Sequence, residues 1–88
     1  MNMKKFVITL EWEIKSERNF EVLPQGYSSL EQAQEKLNSL YEDEVRKGWF
    51  DESDEDTVIT KNETSWEIDV NYYDKFCICE IVEIEFQD

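Results

Sequence analysis

At 88 residues the chain has room for one domain, which buries only about 60 to 65% of its unfolded surface and keeps a stability of about 5 kcal/mol. Its 22 acidic and 9 basic residues give a net charge of −13, which repels phosphate and argues against direct nucleic-acid binding. The absence of histidine removes the commonest general base and metal ligand, and two glycines cannot build a glycine-rich phosphate loop, so neither an enzyme nor a cofactor is expected.

Apolar residues make up 40% of the chain and recur periodically, as a globular protein requires. No apolar run approaches the roughly 20 residues of a membrane span. Met1 to Lys5 lead straight into an alternating pattern rather than a signal-peptide core, so a cytoplasmic protein is expected.

In chain order, residues 5–15 alternate as a half-buried strand. Phe6, Ile8, Leu10, Trp12 and Ile14 share one face, and Lys5, Val7, Thr9, Glu11, Glu13 and Lys15 the other. Ser16 to Asn19 form a polar turn, and Phe20 to Leu23 a short arm that pairs back on the first strand before Pro24 stops it. Tyr27 can staple the start of the helix that follows.

Ser29 to Lys47 is the one long helix. Leu30, Ala33, Leu37, Leu40, Tyr41 and Val45 recur at spacings of three and four and form an apolar stripe, with Glu31, Glu35, Asn38 and Glu42 facing water. Ser29 with Gln32 makes a capping box, and Gly48 after Arg46 and Lys47 suits a left-handed stop. Trp49 and Phe50 then fold back as core, or stay out as anchors for a partner.

Asp51-Glu52-Ser53-Asp54-Glu55-Asp56 places five carboxylates in six residues and must be a solvated loop. Thr57 to Lys61 form a short strand, Asn62 and Glu63 a turn, and Trp66, Ile68, Val70 and Tyr72 alternate with Glu67, Asp69, Asn71 and Tyr73 in a second strong strand. After a turn at Asp74 and Lys75, the last strand runs from Phe76 to Phe86 with a phase conflict. Phe76, Ile78, Val82, Ile84 and Phe86 share a face with Glu80, while Cys77, Cys79 and Ile81 take the other. Either a bulge near Glu80 shifts the register, the reading preferred, or Glu80 lies where the helix leaves the sheet uncovered. The order predicts an α+β fold: an antiparallel sheet of four to five strands with one helix packed on one face.

Cys77 and Cys79 are two apart on a strand and point the same way, a poor geometry for a mutual disulfide. They read as small reduced core thiols, with an interchain bridge or shared metal as the alternative. Glu52, Asp54, Asp56 and Glu63 fall at relative positions 1, 3, 5 and 12 of an EF-hand loop, but position 1 is usually Asp, position 6 should be Gly and is Thr57, and a strand follows. No metal is assigned. Asn62-Glu63-Thr64 spells a glycosylation sequon, which has no meaning without secretion.

The charge itself is the strongest signal. Residues 1–50 carry a net −2 and residues 51–88 a net −11. If the helix covers the face bearing Trp12, Ile14, Trp66 and Ile68, the opposite face shows Glu11, Glu13, Glu67 and Asp69, with Glu83 and Glu85 beside them and Trp49, Phe50 and Tyr73 at its border. Six carboxylates on one face cost stability, because like charges repel across strands, so folding alone does not call for them. A charged face kept for solubility is the plain alternative.

In size and charge the chain is similar to phage-encoded anti-CRISPR and anti-restriction proteins that act as DNA mimics, and to acidic immunity proteins and antitoxins that cap basic nucleases. The expectation is therefore an inhibitor of a basic nucleic-acid-handling protein, with Asp51, Glu52, Asp54, Glu55, Asp56, Glu67, Asp69, Glu83 and Glu85 as charged contacts and Trp49 or Phe50 as anchors. The other class is a self-assembling structural protein, a homodimer pairing through the last strand or the arm at Phe20.

Overall fold

The computed structural model describes residues 2–14, 16–71 and 74–87. In sequence order the elements are β1 (Asn2–Ile14), β2 (Glu17–Val22), α1 (Leu30–Lys47), β3 (Thr57–Lys61), β4 (Ser65–Val70) and β5 (Lys75–Gln87). The strands form one five-stranded sheet in the order β2-β1-β5-β4-β3, every pair antiparallel, and α1 packs on one face. The fold is α+β, as predicted. No helix among the described residues is long and apolar enough to cross a membrane.

The helix ends are set locally. Ser29 is extended and its side chain accepts from the Gln32 amide, while Gly48, at φ 72°, donates its amide to the Val45 carbonyl. The buried stripe is Ala33, Leu37, Tyr41 and Glu44, and Val45 is exposed. The predicted stripe therefore needs one correction. Each four-residue step advances about 40° around the helix, so three such steps carry Val45 off the face that Glu44, eleven residues after Ala33, regains.

β1 presents Phe6, Ile8, Leu10 and Trp12 to the helix, and β4 presents Trp66 and Ile68. The arm predicted at Phe20 to Leu23 is longer and starts earlier, because Ile14 pairs with Glu17 and the hairpin turns through Ser16 at φ 69°. The strand predicted to reach Tyr73 stops at Val70, followed by Asn71 in the left-handed region at φ 52°. Lys15, Tyr72 and Tyr73 lie outside the described residues.

The phase conflict in β5 resolves without a bulge. Its register against β1 runs unbroken from Asn2↔Gln87 to Ile14↔Lys75, and against β4 from Ser65↔Glu80 to Val70↔Lys75. Cys77, Cys79 and Ile81 face the helix, and Phe76, Ile78, Glu80, Val82 and Ile84 face away. Volume explains the choice. Cys77 sits between Trp12 and Ile68, and Cys79 between Leu10 and Trp66, so the large side chains of the neighbouring strands fill the space under α1 and leave room for thiols in the middle. Both cysteines are free and buried, and burial pushes both thiols up, Cys79 to about 12.

β1 and β5 are 13 residues each and outrun the other strands, which gives the molecule its extents of 49 × 24 × 18 Å. Along the projecting ribbon Phe6 exchanges backbone bonds with Tyr27, and Lys4 reaches Glu83 at 3.3 Å.

Candidate functional site

The sheet face away from α1 follows row by row from the register. One row reads Phe20, Glu11, Ile78, Glu67, Thr60 across the five strands, and the next reads Arg18, Glu13, Phe76, Asp69, Val58. Above them lie Val22, Thr9, Glu80 and Ser65, then Val7 and Val82. Half-buried Ile78 thus has Glu11 and Glu67 beside it, Glu80 two residues along its own strand, and Glu13 and Asp69 on the diagonals, a ring of five carboxylates.

The face is apolar as well as acidic. Phe20 is 59% exposed, Val22 54%, Val58 57% and Val82 37%. β5 therefore carries apolar residues on both sides, the pattern of a strand meant to be covered on both faces. Within a strand the paired carboxylates stand about 6 to 7 Å apart, and the Glu11–Glu13 and Glu67–Asp69 rows lie about 10 Å apart across β5, two strand spacings.

Of the five carboxylates Glu11 alone has an ion pair among the described residues. Arg18 donates to its Oε1 from Nε at 3.2 Å and from Nη2. Burial, and then the charge of Glu67, raise the Asp69 carboxyl above its ordinary value, and Asp69 Oδ1 is buried without a hydrogen-bond partner.

The acidic loop is folded back on itself by aspartate side chains. Asp51 Oδ1 accepts from the Ser53 amide and hydroxyl, and Asp54 Oδ1 from the Asp56 amide, so these two carboxylates hold the turns of a loop whose residues are exposed throughout. The Ser53 amide, then its hydroxyl, hold Asp51 below the usual carboxylate range. The loop closes on the far end of β4, where the Asn71 amide donates to the Asp56 carbonyl, so Asp51 to Asp56 stand at the same end of the sheet as Asp69.

The remaining predicted residues lie elsewhere. The sequence pattern sets Glu83 and Glu85 beside Glu67 and Asp69, but without a bulge their odd positions put them on the helix side of β5, in the projecting ribbon where Lys4 meets Glu83. Trp49 and Phe50 are also on the helix side and tied into the core: Trp49 Nε1 donates to Glu44 Oε1 at 3.1 Å, the two rings meet edge to face at 4.9 Å, and Phe50 leads on to Tyr41 and Trp66. Tyr73, named as a border aromatic, is outside the described residues. The structure brings Glu67 and Asp69 together with Glu11, Glu13 and Glu80, sets Asp51 to Asp56 at one end, and separates Trp49, Phe50, Glu83 and Glu85.

Sequence reasoning missed Ile78 as a surface residue and Arg18 as the local counter-ion, and placed Glu80 on an uncovered face only as the alternative to a bulge. The signal for Ile78 was the phase conflict itself, whose other solution leaves Glu80 on an uncovered face. Glu44 was missed too. It is 9% exposed, and its charge is met by Lys47 Nζ at 2.6 Å and the Trp49 indole. No three His, Cys, Asp or Glu side chains converge as a metal site among the described residues.

No family model, curated protein or solved structure matches the chain.

Proposed function

We propose that the protein is a small non-catalytic inhibitor, acting in the cytoplasm, that binds a basic nucleic-acid-handling protein through its open sheet face, in the manner of a phage anti-CRISPR or anti-restriction DNA mimic blocking a bacterial defence nuclease. The observation that carries the reading is the ring of five carboxylates around Ile78 on a face that also exposes Phe20, Val22 and Val82. Clustered like charges oppose folding, and exposed apolar side chains oppose solubility. Both are relieved when a positively charged, partly apolar surface covers the face.

Two carboxylate rows about 10 Å apart also approach the spacing of phosphates flanking a duplex groove, whose widths are about 6 and 12 Å. Asp51 to Asp56 add charge at one end and steer the encounter. An immunity protein or antitoxin capping a basic nuclease would use the same chemistry.

The test is a tagged pull-down from bacterial lysate at low salt, eluted by a salt gradient, followed by a cleavage assay on what is recovered. One nucleic-acid enzyme released at a defined salt, and inhibited by the protein, is the expected result. Scattered basic proteins eluting early, with no activity inhibited, would reject the reading.

Self-assembly is the second reading, favoured by one observation: β2 is an edge strand, exposed throughout, and carries Phe20 and Val22. A concentration-dependent dimer in sedimentation, lost in Phe20→Lys, would support it.

A further inference from the structure

The open face already holds one guanidinium of its own. Arg18 lies flat enough over β1 to donate two N–H groups to a single oxygen of Glu11, beside the exposed ring of Phe20. Glu13, Glu67, Asp69 and Glu80 offer four further carboxylates around the same apolar floor, none of them in an ion pair among the described residues.

We infer that this face docks an arginine-rich surface of another protein, and that it selects guanidinium over ammonium groups. The inference rests on the proposed function and narrows it to a chemistry and a surface. A guanidinium is planar and weakly hydrated, so it can lie on Ile78, Val82 and the stems of the neighbouring glutamates while its edge donates to a carboxylate. A lysine ammonium is a strongly hydrated point charge, which must shed water to approach carboxylates set around an isoleucine.

The along-strand spacing of about 6 to 7 Å gives each guanidinium its own acceptor instead of crowding two on one. A second copy of the chain is a poor occupant, because face-to-face docking sets the same carboxylates against each other and the face's own arginine is already engaged by Glu11.

Capped nona-arginine and nona-lysine peptides, equal in charge, test this by titration calorimetry at physiological salt against the full chain. Nona-arginine should bind about tenfold tighter or better. In Ile78→Thr the preference should shrink to about twofold as the floor is lost. Phe20→Thr, on the exposed edge strand, repeats the test without touching the sheet centre, and Asp54→Asn/Glu55→Gln/Asp56→Asn should keep the preference.

Equal affinity for the two peptides, or a preference lost only in the loop variant, overturns the inference while leaving a basic partner standing. Binding of neither peptide removes the proposed function as well. A tight dimer of the free chain that Ile78→Thr dissociates would assign the face to a second copy and overturn the inference.

Discussion

The Trp66 indole donates from Nε1 to the Leu37 backbone carbonyl at 2.8 Å inside the core, tying the middle of α1 to β4. The bond fixes how far the helix has slid along the sheet, which apolar contact alone leaves loosely defined. Trp66→Phe keeps most of the apolar volume and removes the donor, and the Leu37 carbonyl keeps its helical partner. The expected loss is about 1 to 2 kcal/mol. In a domain of this size that lowers the melting temperature by roughly 4 to 16 °C, readable by circular dichroism.

Gly48 ends the helix at φ 72°, and a methyl group added there would meet nothing within 4 Å. The cost of Gly48→Ala is therefore backbone strain alone, about 1 kcal/mol, and Gly48→Asn should recover part of it. Thermal melts of the two variants side by side check the sign: a melting point for Gly48→Ala equal to the parent's would mean the left-handed cap contributes nothing.

Asp69 gives the protein a pH-dependent weakness. Its carboxyl is raised in the folded state, so the native chain holds the proton more tightly than the unfolded chain. Its contribution to stability is then greatest below the unfolded carboxylate value of about 3.9 and declines as pH rises through the folded value. Asp69→Asn should accordingly melt higher than the parent at pH 7, with the advantage disappearing near pH 3.5 to 4. A pH-independent difference would trace the effect to packing instead of charge.

Cys77 and Cys79 should behave as inert thiols. Burial, with Glu44's negative charge adding to it, keeps both protonated, so little thiolate is present at neutral pH. Ellman's reagent should label neither in the native protein and both in denaturant, and labelling under native conditions should follow the rate of global opening. Stoichiometric labelling within seconds at low denaturant would place the thiols outside the core.

The unbroken register of β5 turns the acidic residues into two separable sets. Glu67→Lys/Asp69→Lys reverses charge on the open face, whereas Glu83→Lys/Glu85→Lys reverses it on the helix side of the ribbon. Against a basic partner at low salt the first pair should slow association by about tenfold or more. The second pair should change it by about what the shift in net charge alone produces. Stopped-flow association across a salt series distinguishes them.

Much of the helix and two of the strands were legible locally. Ser29, Gln32, Arg46, Lys47 and Gly48 mark the ends of α1 because capping is a matter of neighbours along the chain, and Trp12, Ile14, Trp66 and Ile68 show their face because polar residues alternate with them. For β5 that contrast is missing. Phe76 and Ile78 are as apolar as Cys77 and Cys79, so parity offers two faces, and residue volume alone favours the wrong one.

Periodicity, capping and charge are properties of short segments, so an acidic α+β chain with one capped helix and an antiparallel sheet can be read from the residues alone. The tertiary structure alone decided which side of β5 the helix covers, because that depends on the space left by Trp12 and Trp66 on neighbouring strands. That one choice buries the thiols, turns half-buried Ile78 and exposed Glu80 to the open face, sends Glu83 and Glu85 away from Glu67 and Asp69, and gathers carboxylates from three strands around a single isoleucine.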